Sequence, residues 1–286
     1  MEGFMKKIKN FSQQKPILAI LAVYVITFLF QRFSGLLFSV FPDNMLRAYV
    51  RELYDMLWPV ALSLLFGFRF IYHRKGFGAT LITAMPLLIW SIFVLFLSWF
   101  ITFFEGAQWQ TTPAILLGIL HMIGIGVREE VIYRGIIGNA LALKYATDKK
   151  GLWFAVIVSA LIFGSVHITN IFYGVKLMGL MAQIVAAFAT GLSFAAIYLR
   201  GGNIWVLVLI HAIIDAGAFF NSSFTVTAET KVDMVSNQNP WGAVMYVCLY
   251  TCVALFLLRK SKQPAVFARL EQFRNQSGWS EGPTSE

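Results

Sequence analysis

The sequence predicts an all-α membrane protein: a bundle of about eight transmembrane helices with both termini in the cytosol. Three observations carry that expectation. Of the 286 residues, 58% are hydrophobic and only 13% charged, and the mean hydropathy is +0.69. A soluble domain carries about 25% charged residues, so there is too little polar surface here to cover a globule in water. Nearly uncharged stretches of close to 20 residues recur along the chain, each long enough to cross a bilayer. Lys and Arg also collect on alternate loops, as membrane topology requires.

Taken in order, the first span runs from about Ile17 to Val40 and is interrupted by Gln31 and Arg32. A basic start precedes it, with no small-residue cleavage site, so it reads as a span and not as a signal peptide. The second is short, about Tyr54 to Phe70, and the third, Thr80 to Phe104, is the cleanest. The fourth stays helix-compatible from Thr112 to about Tyr145. That is too long for one simple crossing, so a tilt, a kink or a second helix along the cytosolic face is expected. Leu152–Tyr173, Leu177–Leu199, Ile204–Phe220 and Trp241–Leu258 complete the set. No repeat or soluble domain is visible. The chain divides into one membrane domain, 1–258, and a polar cytosolic tail, 259–286, flexible near its Gly- and Ser-containing end.

With the N-terminus inside, sixteen of the 23 basic residues fall on the cytosolic side, among them Lys6, Lys7, Lys9, Arg69, Arg74 and Lys75. Four fall opposite: Arg47, Arg51, Lys176 and Lys231. The net charge of +9 is therefore a topological signal. No basic residues interleave with aromatics on a polar surface, which excludes a nucleic-acid partner. Cys248 and Cys252 lie four apart on one face of an apolar helix, a poor disulfide geometry. Asn221-Ser222-Ser223 matches a glycosylation sequon, a pattern common by chance.

Three basic residues, Arg32, Arg128 and Arg134, sit inside spans. The last two flank an acidic pair in Arg128-Glu129-Glu130-Val131-Ile132-Tyr133-Arg134. A charge at the centre of a membrane helix costs about 2.5–3.5 kcal/mol on insertion scales, so such groups need partners, water or a function. Glu130 and Arg134 stand i,i+4 and can pair, which leaves Glu129 pointing elsewhere. A position at the cytosolic surface would make these charges ordinary. Two further segments weigh against that: Phe163-Gly164-Ser165-Val166-His167 in span five, and His211-Ala212-Ile213-Ile214-Asp215 in span seven. Ionisable groups in different membrane helices usually face one another or a wet cavity, so one shared polar site is expected. The depths match imperfectly: counted at 1.5 Å per residue, His167 lies roughly 22 Å and His211 roughly 10 Å from the cytosolic ends.

Such a set suits hydrolysis, which needs a base for water and a donor for the oxyanion. Histidine can relay a proton, donate to an oxyanion or bind a metal. No His-Glu-x-x-His helix motif is present, yet Glu, His, His and Asp drawn from different helices remain a ligand set for a divalent ion such as zinc. His121, two turns before Glu129, is placed to line the same cavity, and Asn170 to add a hydrogen bond. His73 reads as a solvated loop residue.

Glu129-Glu130-x-x-x-Arg134, Phe163-x-x-x-His167 and His211-x-x-x-Asp215 together resemble the CPBP family. It comprises CAAX proteases and bacteriocin-processing enzymes and is also called Abi; its eukaryotic members are the type II CAAX prenyl endopeptidases. The resemblance covers about residues 112–220. It implies an intramembrane endopeptidase in which Glu129 is the general base for water and Glu130 and Arg134 pair to hold the site. His167 assists water activation, and His211 with Asp215 forms the last motif. In the prenyl-protease branch that last position is Asn, a donor to the oxyanion; Asp cannot donate when ionised. The departure shifts His211 towards an orienting role or metal coordination, with Glu129, His167 and His211 as the ligands. Both a metalloprotease and a metal-free glutamate mechanism are consistent with the family. The implied partners are the bilayer and a membrane-embedded or lipidated substrate, for CAAX processing, peptide maturation or bacteriocin immunity. The implied setting is the bacterial plasma membrane. The alternatives are a non-catalytic membrane scaffold for a cell-envelope enzyme and a transporter or proton relay.

Overall fold

A computed structural model describes residues 2–73, 75–238 and 240–279. Arg74 and the Gly- and Ser-containing end of the tail, expected to be flexible, lie outside the described residues. Among the described residues the chain is all-α, with an isolated β-bridge between Trp109 and Thr225. The helices are α1 (Glu2–Gln14), α2 (Pro16–Ser39), α3 (Met45–Leu65), α4 (Phe77–Phe104), α5 (Thr112–Glu130), α6 (Asn139–Tyr145) and α7 (Lys149–Val166). They continue with α8 (Leu177–Gly201), α9 (Ile204–Ala218), α10 (Phe220–Phe224), α11 (Lys231–Ser236), α12 (Pro240–Leu257) and α13 (Gln263–Ser277).

Five of these are long and apolar enough to cross a membrane: α2, α4, α7 with the 3₁₀ segment His167–Tyr173 that extends it, α8 and α12. The other three expected spans, which correspond to α3, α5 and α9, fall short for physical reasons. α3 begins earlier than expected and carries Arg47, Arg51, Glu52 and Asp55 in its first half. α5 ends on Arg128-Glu129-Glu130. α9 has 15 residues, about 22 Å of helix at 1.5 Å per residue, against a hydrocarbon core of about 30 Å. All three supply walls or side chains to the polar site.

The bundle is apolar on its outside as well as its inside. Ile82, Ile89, Phe93, Phe96 and Phe104 of α4 are exposed, a face suited to lipid and costly in water. Inside, Ile136, Ile137, Leu141, Phe194, Ile197, Val206, Leu207 and Ile210 are fully or almost fully buried. α9 packs on α4 and α5, and α8 on α7 and α12. Two glycines mark close approaches between long helices. A Cβ on Gly191 would stand 2.8 Å from Ala160 Cα, which brings α8 onto α7. A Cβ on Gly126 would stand 2.8 Å from the Val208 carbonyl oxygen, so α5 and α9 touch backbone to backbone. Small residues at such crossings are how membrane helices gain van der Waals contact.

The long fourth segment is one helical run that changes winding. α5 passes into a π-helix, Val131–Gly138, and then into α6. A π-turn is rare and recurs at functional sites, and hydropathy alone does not show it. Nearly every residue from Glu130 to Leu143 is buried.

After Leu258 the chain turns back and α13 docks on the bundle. Val266, Leu270 and Phe273 are buried at i, i+4 and i+7. Phe273 meets Phe70 and Tyr198 at ring-centroid distances of 5.1 and 5.5 Å. Arg274 donates to the carbonyls of Leu143 and Ala146 at 3.3 Å each, covering the end of α6. Gln13 of α1 donates to Gly278 O at 3.1 Å, so the first and last helices meet at one end of the bundle.

Candidate active site

The end of α5 and the middle of α9 form the centre. With Gly126 against Val208, Glu129 and Glu130 come level with His211. The buried pair forms as its spacing requires: Arg134 Nη1 donates to Glu130 Oε1 at 2.8 Å, and the two side chains are 3% and 0% exposed. The same Glu130 oxygen also accepts from His211 Nδ1 at 2.7 Å. Phe163 and Phe194 cover the Arg134 guanidinium, their ring centroids 4.2 and 5.1 Å away. Buried aromatic faces stabilise a desolvated cation. Arg134, Glu130 and His211 are therefore a chain of charge-assisted hydrogen bonds that presents the other imidazole nitrogen, Nε2, to open space.

That space is a cavity of about 760 Å³. Glu129, His167, His211 and Asp215 all line it. His211 Nε2 lies 3.6 Å from Glu129 Oε2 and 3.7 Å from Asp215 Oδ2. His167 contributes from the junction of α7 with its 3₁₀ extension. Its Nδ1 faces the Phe163 carbonyl at 3.2 Å, so Nε2 is the ring nitrogen left for water or substrate. Asn170 also lines the cavity, its amide held by Gln183 Oε1 at 2.8 Å.

His167 and His211 line one cavity although their counted depths differ, and α9 starts inside the bundle. Its cap, Asn203, is fully buried. The Asn203 side-chain oxygen accepts from the Trp205 and Val206 N–H groups, and its amide donates to His73 O at 3.1 Å. Counting from Ile204 as a membrane surface therefore placed His211 too shallow.

Several residues were not read from the sequence as part of this site. Glu52 and Asp55 of α3 fall before or at the edge of the expected second span. Glu52 Oε1 meets His121 Nδ1 at 2.8 Å, and Asp55 Oδ2 lies 3.8 Å from Arg128 Nη1. Lys231 of α11, expected in an outer loop, lines the cavity. Burial holds its ammonium below the ordinary lysine value, opposed by the carboxylates of Asp215 and Glu52. Two acids one turn apart in an otherwise apolar stretch were the available signal for α3. For Lys231 there was none, since α11 packs through Gly179, where a Cβ would stand 2.1 Å from Val235 O.

The residues present do not fit a bound metal ion. Among the described residues no three His, Cys, Asp or Glu side chains form a group able to hold one. Glu129, His167 and His211 share a cavity wall without making such a group.

Residues 109–217 match the family model of Rce1-like type II CAAX prenyl endopeptidases. Over that stretch the chain is similar to this family. No curated protein and no solved structure matches it. The stretch that matches the CPBP-family model holds Glu129, Glu130, Arg134, His167, His211 and Asp215. Glu52, Asp55 and Lys231 lie outside it.

Proposed function

We propose that this chain is an intramembrane endopeptidase that hydrolyses a peptide bond in membrane-associated proteins or peptides, as in CAAX-type processing, through water activated by Glu129. One observation carries the reading. Carboxylates from α5 and α9 stand 3.6 and 3.7 Å from the cavity-facing imidazole nitrogen of His211, on the wall of a cavity large enough for a peptide segment.

The chemistry follows from the arrangement. A water between Glu129 and His211 adds through its oxygen to the carbonyl carbon, and its proton passes to the Glu129 carboxylate. The C–N bond then breaks, and Glu129 returns the proton to the departing amine nitrogen. Glu130, anchored by Arg134, takes the Nδ1 proton of His211 as a hydrogen bond and so fixes the tautomer and the ring plane. When protonated, Nε2–H donates to the oxyanion, a contribution of about 10²–10³ in kcat for one such donor. Asp215 orients the same ring. His167, which lines the same cavity, assists the water. No step passes through a metal.

The test is cleavage of a labelled membrane peptide by purified protein in detergent. Glu129→Ala and His211→Ala are expected to lose activity by at least about 10²-fold, the usual scale for removal of an acid–base group. Full activity in the folded Glu129→Ala variant overturns the assignment.

A further inference from the structure

The cavity contains cations that its central carboxylates do not use. Arg51, Arg128 and Lys231 line it together with Glu129 and Asp215. Among the described residues the only ion-pair contact of Glu129 within 4.0 Å is His211, and the same holds for Asp215. Arg128 is the immediate neighbour of Glu129 in sequence, carries a long side chain and opens on the same cavity. An arginine placed there would pair with a free carboxylate unless something held it elsewhere.

α3 supplies the restraint. Asp55 is buried, and its Oδ2 stands 3.8 Å from Arg128 Nη1 and 4.0 Å from Arg51 Nε. A second tie lies two turns earlier on α5 and one turn earlier on α3, where Glu52 Oε1 meets His121 Nδ1 at 2.8 Å. The helices come close between the two ties because Gly124 has no side chain. A Cβ there would stand 3.2 Å from Glu52 Oε2 and 3.5 Å from Met56 Cγ. Two acids of α3 thus take the two basic side chains of α5, and both acids lie outside the family-matched stretch.

We propose that Asp55 is a positioning residue that holds the Arg128 guanidinium against α3 and so keeps it off Glu129 and Asp215. Its consequence for cleavage rests on the peptidase reading above; the arrangement itself has a separate readout. With Asp55 in place, Glu129 keeps no arginine or lysine within ion-pair distance among the described residues. With Asp55 neutralised, Arg128 swings into the cavity and pairs with Glu129.

The experiment labels the purified protein in detergent with a hydrophobic carbodiimide, which adds to protonated carboxyl groups, and measures modification of Glu129 by peptide mass spectrometry. Asp55→Asn is expected to lower labelling of Glu129 by about tenfold or more, because a carboxylate paired with a partly buried guanidinium is shielded from the reagent. Asp55→Glu, which keeps the charge, and Arg128→Gln are expected to leave it at the wild-type level. Asp55→Asn with Arg128→Gln is expected to restore it. Wild-type labelling in Asp55→Asn overturns the proposal, and so does a double variant as low as the single one. A wild-type protein unlabelled at Glu129, or an Arg128→Gln variant labelled more strongly, also overturns it, because Arg128 would then already be on Glu129. These last two measurements do not depend on the folding of Asp55→Asn. In the cleavage assay Asp55→Asn lowers kcat with KM held, and Arg128→Gln restores it, a suppression that a merely structural role for Asp55 does not produce. The expected labelling pattern in a protein that cleaves nothing would leave the positioning role standing and refute the peptidase reading.

Discussion

Replacing Arg134 by methionine removes the positive half of an ion pair with almost no access to solvent. Glu130 would be left 0% exposed, with His211 as its remaining partner at 2.7 Å. Breaking a buried pair from one side costs about 3–5 kcal/mol, because the other charge stays buried without compensation. Loss of the contacts with Phe163 and Phe194 forms part of that figure. Native proteins are stable by only about 5–15 kcal/mol, so the single variant is expected to be severely destabilised. Adding Glu130→Gln removes the orphaned charge while keeping an amide oxygen to accept from His211 Nδ1. Replacing both members of a buried pair is often neutral or stabilising, so the double variant is expected to regain most of the loss. The assay is SDS titration in mixed micelles followed by far-UV circular dichroism, comparing both single variants with the double. A cost below about 1 kcal/mol for Arg134→Met, or a double variant at the sum of the singles, refutes the reasoning: coupled neighbours depart from additivity by about 0.5–3 kcal/mol.

Gly126→Ala puts a methyl group 2.8 Å from the Val208 carbonyl, forcing α5 off α9 and widening the gap between Glu129 and His211. A misplacement of about 1 Å in a reacting group can cost 10²-fold, so kcat is expected to fall by about 10–100-fold. Gly124→Ala, where the nearest contact is the flexible end of Glu52 at 3.2 Å, is the milder control in the same assay. Treatment with a strong chelator is expected to leave peptide cleavage unchanged; loss of activity restored by added zinc would sink the metal-free scheme. Asp215→Asn places an amide donor about where the carboxylate now stands, 3.7 Å from His211 Nε2. Its kcat is expected to stay within about tenfold of wild type, while Asp215→Ala loses about 10²-fold, the scale of one transition-state donor; equal losses in the two would refute an orienting role for Asp215.

The sequence by itself determined the helical membrane character, because solvent leaves its mark in composition. A chain with 13% charged residues and recurring apolar runs of about 20 residues satisfies its backbone in lipid as helices. It also singled out six ionisable groups inside apolar spans. Glu129, Glu130, Arg134, His167, His211 and Asp215 stand out because an ionisable group in an apolar span is costly wherever it points. The Glu130–Arg134 pair was legible as well, since i,i+4 neighbours meet within one helix. Only the tertiary structure decided what depends on contacts between helices: Glu130 shared between Arg134 and His211, the burial of the α9 cap that sets the depth of His211, and the two acids of α3 that take His121 and Arg128. It also decided the docking of α13, whose buried residues are few and spaced among polar ones, so that hydropathy reads it as a tail. Gly126 lets α5 and α9 touch backbone to backbone, and Gly124 leaves room for Glu52 and Met56 between α5 and α3. A glycine in a sequence shows where an approach is possible, but not which partner makes it.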